Sequence, residues 1–407
     1  MRACYTLAIR AYALAVRIAA LFGNVKAKLW TKGRKRLPEP GNDPDRWVWF
    51  HAASLGEFEQ GRPLIEAIKK DHPEIKVSLT FFSPSGYEIR KDYPLADEVL
   101  YLPIDTMRNA RHWVTRHHFV AAFFIKYEFW FNSMKALHEQ GIPLYYISLI
   151  LKPNQYFFRW YGGWFRKQLR HVTHFFVQDD TTLKLLEGIG FSNATRCGDT
   201  RFDRVAAIAS QARRFPDIEA FVQDRKCIVA GSTWPPDEKL LIPYIERLPE
   251  DYCMIIAPHD ISLKHIQQIT GALDNYQLYS EYNAGNQSQV LILNIIGILS
   301  QVYQYARFAY VGGGFGVNIH NIQEPVTFGC PVVFGPKYKS FKEAVDLVKL
   351  GGAFPVESQS ELDSVFDRLI HDEASQQKAS EVCKDYLASQ LGATDAIMHQ
   401  ITSIFSV

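Results

Sequence analysis

The segment WFHAASLGEFEQGRPLI, residues 49–65, leaves an apolar run through a Ser-x-Gly-Glu turn and enters a helical pattern. Ser54 and Glu57 have the S-x-x-E spacing of a capping box, in which the hydroxyl accepts from the Glu57 amide and the carboxylate accepts from the Ser54 amide. The same carboxylate sits at the end of a strand-like run, behind a Gly56 that lets the backbone turn tightly. From there it could take the proton from an incoming hydroxyl. Spacing alone leaves cap and base both open.

A second acid, Glu128, follows an apolar run in FIKYEFWFN (124–132), among Tyr127, Phe129 and Trp130. An acid in such surroundings must find a partner or take up a proton. A salt bridge to Lys126 or Arg159 is the plain alternative to a chemical role. In YVGGGFGVNIHNIQEPVTFGCPVVFGPKYKSFKEA (310–344), Gly312, Gly313 and Gly314 strip side chains from the end of a strand. Backbone N–H groups could approach an anion there. The dinucleotide pattern G-x-G-x-x-G fails, because Val317 takes the third glycine's place. His320, Asn321 and Glu324 follow; Glu324 is expected at a helix start near a ribose, whose hydroxyls a carboxylate accepts. In AGSTWPPDE (230–238), Ser232 and Thr233 are candidate caps, with Pro235 and Pro236 in the first helical turn. Amides at that helix start suit a phosphate or carboxylate. His259, after the next apolar run in APHDIS, is a further candidate, although a lone histidine is commonly structural.

These groups need a frame. WVWFHA (47–52), KVSLTFF (76–82), EVLYLP (98–103), VAAFFI (120–125), PLYYISL (143–149) and HFFVQD (174–179) read as buried strands separated by helical patterns. That rhythm predicts a parallel sheet with helices on both faces. A charged helical stretch, 202–226, interrupts it as a linker region. CIVAGS (227–232), YCMIIAP (252–258), VLIL (290–293), FAYVGG (308–313) and PVVFG (331–335) then start a second series. The expected organisation is a basic anchoring segment 1–38, a domain 39–201, the linker 202–226, a second domain 227–390 and a C-terminal helix 391–407. Ligands of such sheets bind beyond the carboxyl ends of the strands, where every candidate above lies.

A chain of 407 residues, 47% hydrophobic and 22% charged, has the composition of a globular protein with two cores. Six scattered cysteines without a CxxC pair read as reduced thiols of a cytoplasmic protein, and no zinc spacing occurs, so no metal is expected. The net charge of +2 hides an asymmetry: residues 1–38 hold nine Lys or Arg and no acid, on a mildly acidic body. An anionic membrane surface, contacted through residues 1–36, is the expected partner, and no nucleic acid. ACYTLAIRAYALAVRIAALFG (3–23) is long enough to suggest a membrane span. Its arginines argue otherwise, since each costs roughly 2.5–3.5 kcal/mol at a helix centre while a Leu returns only about 0.3–0.6. On a helical wheel Arg2, Arg10 and Arg17 share one side, and Leu7, Leu14, Ile18 and Leu21 the other. With the basic run KAKLWTKGRKR behind it, this reads as a helix lying on anionic lipid. An amphipathic helix docked on the body is the alternative.

Taken together, FHAASLGE, KYEFWFN, STWPPDE and the block from Gly312 to Ala344 resemble the 3-deoxy-D-manno-octulosonic acid (Kdo) transferase family of Gram-negative bacteria. The resemblance runs from the N-terminal segment to about residue 345. It implies an α/β GT-B glycosyltransferase: two Rossmann-like domains whose parallel sheets face an interdomain cleft, with a monotopic N-terminal helix on the cytoplasmic face of the inner membrane. It also implies CMP-Kdo as donor substrate, no cofactor, the lipid A precursor as acceptor, and inversion without a metal. By this resemblance Glu57 is the base and Glu128 an acceptor-side acid, while Asn321 and Glu324 hold the nucleotide. Ser54 and Gly56 fall on the acceptor side; Ser232, Thr233, His259, Gly312, Gly313, Gly314 and His320 on the donor side. Three departures stand out. The family's Pro-Arg-His block is Pro258–His259 here, leaving Lys264 to meet the donor's charge. Its Ser/Arg-rich stretch is LILKPNQYFFRWYGG, where Lys152 and Arg159 would serve acceptor phosphates. Its proline after the Trp is Phe131. A UDP-sugar GT-B transferase, a sugar-nucleotide epimerase and a non-catalytic membrane-binding protein remain the competing readings.

Overall fold

The computed structural model describes residues 1–34 and 44–405. Lys35 and Arg36, at the end of the expected basic arm, lie outside them. The chain forms two compact units, Met1–Asp203 with Gln390–Val407, and Arg204–Ser389.

In the first unit the six expected runs are strands β1 (Arg46–Ala52), β2 (Lys76–Phe81), β3 (Glu98–Tyr101), β4 (His118–Ile125), β5 (Leu144–Leu149) and β6 (His174–Val177). A three-residue edge strand, β7 (Ala194–Arg196), joins them. All pair in parallel, in the order β3-β2-β1-β4-β5-β6-β7. The strands are apolar on both faces because both are covered. Val48, Phe50, Val77 and Leu79 face one core with Phe58, Leu64 and Ile68 of the helix Leu55–Asp71. Trp49, Phe124 and Tyr146 face the other, with Trp113 and Leu137. Ile397 and Ile401, from the chain's last helix, complete the first core.

The second unit repeats the plan with β8 (Lys226–Thr233), β9 (Tyr252–Pro258), β10 (Gln277–Leu278), β11 (Val290–Ile292), β12 (Ala306–Val311), β13 (Val332–Phe334) and β14 (Ala353–Pro355). Its order is β10-β11-β9-β8-β12-β13-β14, again all parallel. Residues 202–226 are not an open tether. Their helix Pro216–Val222 packs Ile218 and Phe221 against Cys227 and Val229 in a core of the second unit.

The N-terminal segment forms helices α1 (Arg2–Leu21) and α2 (Val25–Gly33). One face of α1 is docked. The Tyr5 hydroxyl donates to Asp105 at 2.6 Å, and Arg2 donates to Phe131 O and Asn132 Oδ1. The Tyr5 ring meets Phe131 edge-on at 5.1 Å, so the residue in place of the family's proline supplies part of the dock. Further along, Tyr12 stacks on Phe82 at 5.9 Å and Ala13 is buried. Arg2 therefore faces the body rather than lipid, which corrects its assignment to the lipid-facing basic stripe; a residue's position on a wheel does not reveal which face finds a partner. Arg34 is likewise turned inward, donating to Leu102 O and Phe82 O. Leu7, Leu14, Ile18, Leu21 and Phe22 remain exposed.

Asp105 accepts from Tyr5 and also from the Asn132 amide, the Ser133 amide and the Ser133 hydroxyl. Burial pushes its carboxyl up, against those donors. Tyr5→Phe should therefore cost about 1.5–3 kcal/mol of stability, as hydrogen bonds to charged groups do. Asp105→Ala should cost more, because it strands the helix-start amides as well. Calorimetry of both variants checks the order; a Tyr5→Phe protein melting like wild type would show that this bond does not hold α1.

Candidate active site

In the first sheet the strand order reverses between β1 and β4, and both candidate carboxylates follow those two strands. Such a switch point opens a crevice at the carboxyl ends. Glu57 lies in the first turn of the helix Leu55–Asp71, whose cap position is Ser54. The expected capping box is not formed: Ser54 makes no side-chain bond to the helix amides, and its hydroxyl donates to the Glu57 carboxylate directly. Glu57 is thus half-buried and held by one hydroxyl, not committed to the cap. Gly56 is exposed beside it, and a Cβ there would meet only Ser54 Oγ, at 4.0 Å. Tyr127 lies within the field of both Glu57 and Glu128; burial first, then these two charges, push its hydroxyl up.

Glu128 is 15% exposed at its side chain. Its hydrogen bonds include one from a tryptophan. Trp130 Nε1 donates to Glu128 Oε2 at 3.1 Å and to His51 Nε2 at 2.9 Å, and His51 Nε2 lies 3.4 Å from the same carboxylate oxygen. Arg159 instead donates to Asn154 O. His51, on β1 and fully buried, is fixed from behind. The Thr80 hydroxyl donates to Phe50 O and accepts from Trp49 Nε1, so His51 Nδ1 must donate to Thr80 at 2.9 Å. That leaves Nε2 to accept the Trp130 N–H. The Trp130 N–H is therefore shared between His51 Nε2 and Glu128 Oε2, so His51 orients Trp130 and Trp130 holds Glu128, an arrangement which reading the sequence missed. The signal was present, since an inward-pointing His in an apolar strand needs partners. Behind Glu128, its own carbonyl accepts from the Tyr146 hydroxyl at 2.9 Å. Lys152 and Arg159 stand apart, exposed on the loop after β5.

The second sheet reverses between β8 and β12, and the remaining candidates gather there. Gly312 and Gly314 are required for close approach. A Cβ on Gly312 would lie 2.2 Å from Ser232 O, and one on Gly314 2.6 Å from the Gly335 Cα. Their neighbours' amides are not presented as a row, however: Gly312 N–H donates to Gly231 O and Gly313 N–H to Asp237 Oδ2. Asp237 also receives the Trp234 amide and the Tyr310 hydroxyl, and so ties the glycine turn to the helix Pro235–Ile245. That helix begins on Pro235 and Pro236 as expected, but its cap is Trp234 with Asp237, not Ser232 or Thr233. Ser232 is in the left-handed region at φ 53°, and the buried Thr233 donates to Glu238. Glu238 in turn accepts from His265, whose other ring nitrogen donates to Asp260 O. Both ring nitrogens face acceptors; burial opposes a charge there, and Glu238 and Asp260 together raise His265 above its ordinary value.

His259 is no lone histidine. Its ring stacks against both Trp234, at 4.6 Å, and His320, at 4.5 Å, and Trp234 Nε1 donates to His320 Nε2. Burial, then the charge of His259, lowers His320. A stacked pair of imidazoles occupies this place, while Lys264 is exposed in the first turn of the helix Leu263–Thr270. Asn321 donates to Glu324 at 3.2 Å, and Glu324 opens the short helix Gln323–Thr327. Among the described residues no cluster of His, Cys, Asp or Glu is arranged to hold a metal.

The comparisons with known proteins agree with this frame. The family model described as 3-Deoxy-D-manno-octulosonic-acid transferase (kdotransferase) matches residues 23–204, which include Ser54, Glu57 and Glu128. A 3-deoxy-D-manno-octulosonic acid transferase of Rickettsia felis is 24% identical over 337 residues, covering 79% of this chain and 70% of that protein. One of Chlamydophila psittaci is 26% identical over 334 residues, covering 79% and 76%. In fold, the chain is similar to UDP-GlcNAc 2-epimerase from Neisseria meningitidis bound to UDP-GlcNAc, with a TM-score of 0.60 at 14% identity, covering 88% of this chain and 100% of that one. The two-sheet α/β architecture is that of GT-B enzymes. The chain is similar to the 3-deoxy-D-manno-octulosonic-acid transferases, through the family model over residues 23–204 and through these relatives over 79% of its length.

Proposed function

We propose that this protein is an inverting glycosyltransferase that moves Kdo from CMP-Kdo to a glucosamine hydroxyl of the lipid A precursor, lipid IVA, in lipopolysaccharide core biosynthesis. The observation that carries this reading is the pair of carboxylates at the β1/β4 switch point, both acting on Tyr127. Glu57 is the base. It takes the proton of the acceptor hydroxyl as that oxygen forms a bond to the anomeric carbon of Kdo. The bond from that carbon to the CMP phosphate breaks on the opposite side, and CMP leaves with the electron pair. Glu128, oriented by Trp130, receives the acceptor's hydroxyls, while Lys152 and Arg159 meet its phosphates.

The donor belongs to the second unit. Its phosphate faces His259 and His320, and the helix starting at Pro235 adds the positive end of its dipole. Glu324 and Asn321 hold the ribose. The acceptor remains in lipid, and α1 brings the enzyme to the cytoplasmic face of the inner membrane. By length and composition α1 could cross a bilayer. Its dock through Tyr5 and Ala13 supports a surface position, with Leu7, Leu14, Ile18 and Leu21 toward lipid and Arg10, Arg17, Lys26, Lys28 and Lys32 exposed.

Mass spectrometry of lipid IVA incubated with CMP-Kdo and the protein tests the reading; no added Kdo mass, or turnover with a UDP-sugar instead, would sink it. Glu57→Gln keeps an acceptor for the Ser54 hydroxyl, so it should fold normally yet lose roughly 10²–10⁴-fold in kcat. Trp130→Phe preserves a ring against Phe82, 4.9 Å away, but removes the donor to Glu128. Its kcat/KM for the acceptor should fall about tenfold, equivalent to about 1.4 kcal/mol, with donor KM unchanged. Burial raises the Glu324 carboxyl above its ordinary value, so the form that accepts ribose hydroxyls is lost as pH falls through that raised value. CMP affinity, measured by calorimetry, should therefore weaken toward acid pH, and Glu324→Gln should flatten the profile.

A further inference from the structure

The loop between β5 and the helix Gly163–Leu169 holds the most exposed large aromatic of the body. Trp160 is 92% exposed and its neighbour Tyr161 53%. This is a built projection. Phe157 is buried beneath it against Phe129, ring centroids 4.7 Å apart, and Tyr156 packs on Phe165 at 4.4 Å. Arg166 Nη1 donates to Phe157 O at 2.9 Å and to Arg159 O at 3.1 Å, and the Gly162 amide donates to Arg159 O. Gly162 is obligatory in that turn, since a Cβ would lie 2.2 Å from Tyr156 O. The scaffold thus fixes the turn while leaving its two apical rings in water, a cost that only a partner offsets.

The charge around the rings identifies the chemistry of the partner. Between Glu139 and Asp179 the chain has no acidic residue, while Lys152, Arg159, Arg166, Lys167 and Arg170 lie on or beside the loop. Lys152, Arg159, Lys167 and Arg170 are exposed. Rings with one polar atom, ringed by cations, match the boundary between anionic headgroups and acyl chains. The loop is also close to α1: Tyr5 meets Trp164 at 6.3 Å, and the Arg2 guanidinium lies 5.9 Å from the Trp164 ring.

We propose that Trp160 and Tyr161 are a second membrane-docking element, inserting into an anionic bilayer surface beside α1. The proposal rests on the membrane-surface reading above and adds the loop to it. Two points of attachment fix the orientation of the first unit on the membrane, where a single helix leaves it free to swing. Insertion moves both rings from water into the headgroup boundary, worth roughly tenfold or more in partitioning.

The test is sedimentation of the full chain with phosphatidylglycerol/phosphatidylcholine vesicles and with phosphatidylcholine alone, for wild type and Trp160→Ser/Tyr161→Ser. The expected result is binding to the anionic vesicles that falls about tenfold in the double variant, with an unchanged melting temperature and unchanged turnover of detergent-dispersed acceptor. A blue shift of the wild-type tryptophan emission on vesicles, absent from Trp160→Ser, is expected alongside. Equal binding of wild type and double variant overturns the proposal. So does a raised acceptor KM in detergent with unaltered vesicle binding, which would assign the rings to the acceptor. Wild type that ignores both vesicles removes the membrane reading with it. Wild type that binds vesicles but transfers no Kdo removes the transfer reading and leaves this one standing.

Discussion

A parallel sheet covered on both faces has no room for chemistry except at the ends of its strands. Both sheets here obey that constraint. From Val48 to Ala52 and from Cys227 to Ala230 the strands are buried throughout, so polar side chains there would need internal partners. Order reversal at β1/β4 and at β8/β12 spreads the following loops apart and leaves a crevice in each unit. Every polar group that the proposed reaction uses is attached to one of those crevices or to the loop after β5. The backbone bends to accommodate it: Lys126, Ser148 and Ser232, all at carboxyl ends of strands, have left-handed φ values of 58°, 52° and 53°. Such conformations cost about 1–3 kcal/mol each and persist only where surrounding structure enforces them.

Behind each crevice lies a set of buried polar hydrogen bonds. In the first unit Trp130 donates to both Glu128 and His51, and His51 and Trp49 donate to Thr80 behind them. In the second, Asp237 collects the Trp234 and Gly313 amides and the Tyr310 hydroxyl, while Glu238 links Thr233 to His265. Each set places a polar cost in the core that is recovered only if every member is satisfied. A side chain at the crevice is then held by the fold rather than by water, which is what positioned acid–base chemistry demands.

The N-terminal helices belong to the same construction. Phe82, just after β2, meets Tyr12 of α1, Trp30 of α2 and Trp130, with the Arg34 guanidinium 5.1 Å from its ring. One aromatic side chain therefore connects α1, proposed above to contact lipid, to Trp130, which donates to Glu128. A lipid acceptor need not travel far from the bilayer if the anchoring helix forms part of the wall beside the site.

Much of this was legible in the sequence, because it depends on local chemistry and on period. The apolar runs located eleven of the fourteen strands; those missed, β7, β10 and β14, are edge strands of two or three residues, too short to show a pattern. The positions of Glu57, Glu128 and the glycine turn followed from their places just after strands. Spacing could not reveal partners brought from other strands. The S-x-x-E signature suggested a capping box, yet the Ser54 hydroxyl turned to the carboxylate instead of the amide. His51, inward-pointing in an apolar strand, signalled that it needs partners but not which ones, because Trp130 and Thr80 reach it from 79 and 29 residues away in the chain. A wheel showed that α1 has two faces, but Asp105 and Phe131 decided which face is docked. What the sequence by itself determined was the framework and the strand ends that carry the acids; only the tertiary structure decided which groups hold those acids, because hydrogen bonds across a parallel sheet join residues that no local period relates.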